Sequence, residues 1–71
     1  NAATTGEGAV AAALGIDARA KAGVGGGIVI VRRNDDGRLL HIFASKVGEN
    51  GIKADVWYEL NDAGAPVEVA P

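Results

Sequence analysis

The sequence has 71 residues, with nine acidic and seven basic side chains and a formal net charge of −2. This charge balance provides no basic surface for nucleic acid, and no apolar run approaches the roughly 18 residues that a membrane helix needs. The absence of cysteine and the single histidine exclude a disulfide and argue against a structural zinc site. Because a domain this short buries only about 60% of its unfolded surface, we expect it to associate with copies of itself.

The first two residues need separate treatment. Asn1 and Ala2 match the end of a Ser-Asn-Ala remnant that tag cleavage leaves behind, so we leave residues 1–2 out of the fold prediction. On this interpretation the chain is one domain of a longer protein, and any targeting signal lies outside it.

Residues 3–26 are rich in alanine and glycine and contain a repeat. Residues 6–13 align with residues 15–22 at a period of nine, with one glycine and three alanines in register. From position 18 to position 22, alanines alternate with basic residues, which favours short β-rungs of the kind found at the end of a β-roll or solenoid. The alternatives are an alanine-rich helix, which three glycines would interrupt, and a disordered segment.

The pattern changes at Gly27, and residues 27–71 predict an antiparallel sheet. Four apolar segments are separated by turns of Asn, Asp and Gly, the residues that hairpin loops select. Pro66 and Pro71 flank the last segment, as suits an edge strand. We expect a four-stranded meander that packs with the rungs as one domain. The predicted strands are residues 28–33, 39–46, 56–60 and 67–69.

The first hairpin can be assigned a register. A three-residue loop with Gly37 in the left-handed region avoids placing two arginines opposite each other. This register places Ile30 opposite Ile42 and Val29 opposite Phe43. Both faces of the hairpin are then apolar, so a second layer must cover one of them: either the rungs or another copy of the chain.

A glycine run, residues 23–27 with Val24 as its one interruption, lies directly before the most apolar strand. A nucleotide-binding loop needs a strand before the glycines and a helix after them, whereas here a strand follows. We interpret the run as a corner at which a narrow rung becomes a broad strand. Such a corner requires positive φ or close backbone contact.

Residues 46–53 read Lys-Val-Gly-Glu-Asn-Gly-Ile-Lys and lead to Asp55, Trp57 and Tyr58. This run, followed by Asp-x-Trp-Tyr, resembles the C-terminal domain of uncharacterised phage and prophage proteins over residues 41–69. The family carries Gly-x-x-Ser-x-Ala repeats ahead of this domain.

The glycine and alanine units that begin at Gly6 and Gly15 are similar to those repeats, with alanine in place of serine. Repeats of this kind build the β-roll heads of trimeric autotransporter adhesins. The resemblance therefore implies a β fold, a trimeric state and a phage-derived or surface context. It implies no activity and no catalytic residues.

Trp57 and Tyr58 are the strongest candidates for ligand binding. They point to opposite faces of a strand, so one belongs to the core and the other is exposed or at an interface, where it could stack on a sugar. Arg32 and Arg33 form a basic cluster at the hairpin end. We expect them to form surface ion pairs with residues 35–36, with anion contact as the alternative.

No catalytic centre is predicted. His41 and Ser45 are the only histidine and serine, and on one strand their Cα atoms are about 13 Å apart, too far for a nucleophile–base pair. Asp35 and Asp36 lack the spacing of a calcium loop. We therefore expect no enzyme, no metal and no cofactor.

These observations favour a mainly β structural or assembly module. It would terminate a repeat stalk and hold copies together as a homotrimer in a phage-derived or surface protein. The alternative is a module that binds glycan or peptide through Trp57 and Tyr58.

Overall fold

The computed structural model describes residues 1–16 and 18–70. These residues form seven β-strands and no helix, which confirms the prediction of a mainly β fold. Pro71, predicted to flank the last strand, lies outside the described residues. In chain order the strands are β1 (Ala2–Thr4), β2 (Val10–Ala13), β3 (Ala20–Ala22), β4 (Gly27–Arg33), β5 (Leu39–Lys46), β6 (Trp57–Leu60) and β7 (Pro66–Val69).

The strands divide between a four-stranded sheet, in the order β1-β3-β6-β7, and a three-stranded sheet, in the order β2-β4-β5. The first four strands alternate between the sheets, so that β1 pairs in parallel with β3 and β2 in parallel with β4. The later strands pair antiparallel: β5 with β4, β6 with β3 and β7 with β6.

The predicted single meander over residues 27–71 is therefore wrong, because its two hairpins lie in different sheets. The apolar faces of both hairpins can be buried at once only if the hairpins belong to opposing layers. Ala2 begins β1, and its N–H donates to the Arg19 carbonyl at 2.9 Å.

The core lies between the two sheets and is built largely from alanine. Because alanine carries a single methyl group, the backbones of the first three strands must approach closely to leave no void. Larger side chains fill the space between β4, β6 and the loop before β6. The core residues are Ala11, Ala13, Ala18, Ala20, Ala22, Ile28, Ile30, Ile52, Tyr58 and Leu60.

The glycine run forms the predicted corner between β3 and β4. Gly25 has φ of 82°, and a Cβ on Gly26 would lie 2.7 Å from the Ala9 carbonyl oxygen. The turn before β2 stacks on this corner, since the Gly27 N–H donates to the Ala9 carbonyl at 3.0 Å. On the other side, the Val47 N–H donates to Gly26 at 2.9 Å. Glycine is therefore needed where three successive turns stack.

The loop of the first hairpin is as predicted, but the pairing of β4 with β5 departs from the predicted register after Arg33. Gly37 has φ of 83°, as expected, but a β-bulge follows at Arg32 and Arg33. The extra residue shifts the pairing by one, so that Ile30 lies opposite Phe43, and Ile42 moves to the other face. The predicted pairing of Ile30 with Ile42 is wrong for this reason, since one residue of slip exchanges the two faces of a strand.

Candidate functional site

Trp57 and Tyr58, the residues predicted to bind a ligand, lie on opposite faces of β6. Tyr58 is 3% exposed, and its hydroxyl accepts from the Lys53 N–H at 2.8 Å and donates to the Gly51 carbonyl at 3.3 Å. Tyr58 is thus a core residue that anchors the loop before β6. The prediction that one of the two aromatic residues is in the core is confirmed.

Trp57 lies half-buried on the outer face of the four-stranded sheet. The Lys21 ammonium lies 5.1 Å from the centre of its ring, within range of a cation–π interaction. A sugar would have to displace this side chain in order to stack there. On the same face, Arg19 and Glu59 form an ion pair at 3.5 Å. This outer face therefore carries charged side chains with partners of their own.

Arg32 and Arg33 line a cleft of about 150 Å³ with Asp35, Glu59 and neighbouring apolar residues. Arg32 donates to the Leu60 carbonyl at 3.0 Å and pairs with the Asp62 carboxylate. Two carboxylates line the cleft, so its electrostatics do not favour an anion.

Arg33 donates to the carbonyls of Leu14 at 2.8 Å and Gly37 at 3.0 Å. The predicted ion pairs of these arginines with Asp35 and Asp36 are absent among the described residues. Instead, Arg32 joins β4 to the turn after β6, whereas Arg33 joins it to the segment after β2. Both side chains fix neighbouring elements in place.

His41 and Ser45 have separate structural partners. The His41 Nε2 atom lies 3.2 Å from the Asp62 carbonyl oxygen. The Ser45 hydroxyl lies 3.0 Å from the Lys46 carbonyl and 3.2 Å from that of Glu49, and it accepts from Asn50 at 3.0 Å. Ser45 therefore holds the turn after β5.

The hydrogen bond and the negative charge of Glu68, 3.1 Å away, raise the pKa of Lys53 above its ordinary value. Among residues 1–16 and 18–70, no group of three or more His, Cys, Asp or Glu side chains could hold a metal ion. No helix able to cross a membrane occurs in that part of the chain.

The outer face of the three-stranded sheet differs from these places because its centre is apolar. We call it the apolar face; it points away from the core, since its residues alternate with the buried residues of β2 and β4. Ile42 is 63% exposed and Val10 is 59% exposed. The apolar face consists of Val10, Ala12, Gly27, Val29, Val31, Ile42 and Ala44.

Charged residues border the apolar face at its two ends. Lys46 pairs with Gly27 at the end of β5, and Arg33 stands at the end of β4. An apolar centre within a polar rim is the usual anatomy of a protein–protein interface. The sequence predicts an apolar second face on this hairpin but places Ile42 on the same face as Ile30, because the bulge leaves no signal in composition.

Side-chain size differs between two neighbouring parts of the apolar face. A groove of about 430 Å³ lies where Gly27 and Ala44 provide little or no side chain between Val10 and Lys46. Next to it, Val31 pairs with Ile42, whose side chain is the most exposed of this face. Val31 is 6% exposed and lies outside the core cluster.

No family model matches this chain, and neither a curated protein nor a solved structure shows a significant match.

Proposed function

We propose that this chain is a structural assembly module that ends a parallel β-stack and holds copies of itself together as a homotrimer, without enzymatic activity. The apolar face carries this proposal. Monomeric proteins rarely leave a contiguous apolar surface of several hundred Å² open to water, and such surfaces with polar rims mark interaction sites.

The small core supports the same conclusion. Five of its ten buried members are alanines, and each buries little apolar area. Meanwhile Ile42, Val10 and Leu14 remain more than half exposed. Packing these side chains in an interface between copies would bury apolar surface area that remains exposed in a single copy.

The pairing of the first four strands supports the role at the end of a stack. Ala2 pairs with Ala20, two nine-residue units later, and Val10 pairs with Gly27, one residue short of two units. Each coil would thus contribute one strand to each sheet, as in a β-roll. Within the described residues, β1 and β2 are edge strands on the same side of the molecule, where a further parallel coil could add.

The opposite end of the stack is closed by antiparallel hairpins, and its outer strand β7 begins with Pro66 and carries Glu68. Proline and charge on an edge strand oppose further pairing. The resemblance of residues 41–69 to a phage and prophage domain that follows glycine repeats agrees with this placement. It also supports a phage-derived or surface context for the module.

Sedimentation of the 71-residue chain over a range of concentrations tests the proposal. We expect a trimer that the substitution Ile42→Asp weakens at least tenfold, or about 1.4 kcal/mol, because a carboxylate would be buried in the interface. The matched variant Val67→Asp, on the outer face of the four-stranded sheet, should sediment like the parent chain. A folded monomer at every concentration would overturn the proposal.

A further inference from the structure

We infer that the outer edge of β5 binds an extended segment of another protein, which adds to the three-stranded sheet as an antiparallel strand. The segment carries a large apolar side chain opposite Ala44 and an acidic side chain opposite Lys46. This inference goes beyond the proposed function and does not depend on the association of the chain with copies of itself.

The backbone of β5 has hydrogen-bonding groups with no strand beside them. The Val47 N–H donates to the Gly26 carbonyl at 2.9 Å, which fixes the alternation along the pair of strands. From this bond onward, alternate residues of β5 bond to β4, whereas Ile42 and Ala44 turn their N–H and C=O groups away from it. Both residues are exposed, and β5 is the last strand of its sheet among the described residues. These backbone groups therefore face solvent.

The two antiparallel edge strands of the molecule differ in their protection against pairing. The edge strand β7 begins with Pro66 and carries Glu68. The edge strand β5 is twice as long, with eight residues, contains no proline, and has no Asp, Glu, Lys or Arg side chain before Lys46. Proteins commonly protect edge strands with proline, charge or short length, so the long uncharged edge of β5 indicates a place where a strand adds.

The groove on the apolar face opens onto this edge. Its floor is low because Gly27 has no side chain and Ala44 has only a methyl group. A strand beside β5 places the side chain opposite Ala44 on the same face, at the mouth of the groove. The groove, at about 430 Å³, has room for an aromatic side chain. When a strand adds to a sheet edge, backbone hydrogen bonds provide affinity and such a pocket provides specificity.

The polar end of the groove favours an acidic residue on the added strand. Asn50 donates to the Ser45 hydroxyl at 3.0 Å, so these two side chains bond to each other. Lys46 pairs with Glu49 at 3.5 Å, but its side chain is 78% exposed and the pair contributes little. The ammonium group is therefore open to a second carboxylate, and a residue directly opposite Lys46 forms a cross-strand ion pair with it.

The bulge in β5 makes a second copy a poor occupant of the same edge. Two copies of β5 that pair antiparallel bring the first half of one strand opposite the second half of the other. When Ile42 of one copy lies opposite Ala44 of the other, Leu40 lies opposite Lys46. Leu40 is the residue that the bulge leaves without a partner on β4, so regular pairing stops there. An unbulged strand from another protein pairs without this interruption.

Fluorescence anisotropy of a labelled peptide tests the inference, at concentrations where sedimentation shows the chain to be monomeric. The probe is the capped peptide Ser-Glu-Thr-Phe-Thr-Val-Ser, which places its Glu opposite Lys46, its Phe opposite Ala44 and its Val opposite Ile42. We expect saturable binding.

Two methylated forms of the probe are matched controls for backbone pairing. A methyl group on the Phe nitrogen removes an N–H that bonds to β5, whereas the nitrogen of the second Thr points away from it. The first change should weaken binding roughly tenfold or more, and the second should leave it within about twofold. Equal affinity of the two methylated peptides would overturn strand addition.

Variants of the chain test the two side-chain contacts. Ala44→Leu fills the mouth of the groove at an exposed position and should weaken the probe roughly tenfold. Lys46→Glu should reverse the preference, so that a probe with Lys in place of Glu binds better. Val67→Leu, on the outer face of the other sheet, should bind like the parent chain. Circular dichroism verifies that each variant is folded, and Lys46→Glu carries the test if Ala44→Leu is not.

Amide hydrogen exchange locates the bound peptide. The N–H groups of Ile42 and Ala44 should exchange quickly in the free chain and slowly with the probe bound. Absence of saturable binding, or protection elsewhere without these two groups, would contradict the inference. Slow exchange that depends on the concentration of the chain alone would show that a second copy occupies the edge, which also overturns it. The proposed trimer is tested by sedimentation without peptide, so the two failures are distinct.

Discussion

The two sheets present opposite chemistry to the solvent. On the four-stranded sheet, the Lys21 ammonium lies over the Trp57 ring and Arg19 forms an ion pair with Glu59. These charged side chains therefore have interaction partners within the chain. On the three-stranded sheet, the outward residues at the centre are aliphatic and charge is confined to the ends. One molecule thus has a face suited to water and a face suited to another protein surface. On the proposed function, copies of the chain meet at the apolar face.

The largest expected effect compares the two sides of the three-stranded sheet. Ile30→Ala should destabilise the fold by about 2–5 kcal/mol, because Ile30 is fully buried and its truncation leaves a cavity. Ile42→Ala, measured at a concentration where the chain is monomeric, should cost less than about 1 kcal/mol. Urea unfolding followed by circular dichroism measures both.

If Ile30→Ala does not fold, Ile30→Val provides the same comparison with an expected loss of about 0.5–1.5 kcal/mol. Equal losses at positions 30 and 42 in the monomer would mean that Ile42 is covered within the subunit, and the contrast between the inner and outer faces would disappear.

A second prediction concerns the stacked turns that hold the two sheets in place. Gly26→Ala should cost about 1–3 kcal/mol, since its Cβ would meet the backbone oxygen of Ala9, which cannot move away as a side chain can. Gly15→Ala is the matched control, because open space surrounds that position, and it should be neutral or stabilise by up to about 1 kcal/mol. Thermal unfolding of the two variants measures the difference, and similar midpoints would contradict the close packing at the corner.

The smallest expected effect concerns the charges beside the four-stranded sheet. The raised pKa of Lys53 means that its pairing with Glu68 contributes fully below the pKa of lysine in the unfolded chain, about 10.4, and is lost as pH rises through the folded value. Lys53→Gln should therefore have a slightly lower unfolding midpoint than the parent chain at pH 8. The gap should narrow as pH rises above about 10.4, and a gap that widens with pH would contradict the assignment.

Local features of this fold could be predicted from the sequence because they depend on neighbouring residues. The segments 34–38 and 61–65 both begin with Asn-Asp and have glycine at the fourth position, a pattern that predicts turns. In the structure they have the same hydrogen bonds, with Asn34 and Asn61 each accepting two backbone N–H groups through the side chain. The corner at the glycine run is likewise a local feature, because a residue with positive φ favours glycine whatever the tertiary structure around it.

The candidate site could be predicted only in part. Alternation along residues 28–33 and 39–46 indicated an apolar outer face, but the bulge decided that Ile42 belongs to it. Tyr58 was a candidate for ligand binding because sequence alone does not distinguish which aromatic residue of a neighbouring pair points inward. That choice depends on the pairing of β6 with β3, a contact between distant parts of the chain.

The sequence by itself determined, to within one residue, where β4 to β7 begin and end and where the chain turns between them, because turn chemistry and alternation act over a few residues. The tertiary structure alone decided that β6 joins β3 and β5 joins β4, which separates the two hairpins into opposing sheets. Strand edges compete for partners across the whole chain, and the outcome depends on which pairing buries the most apolar surface. A local sequence pattern therefore does not specify which strands pair.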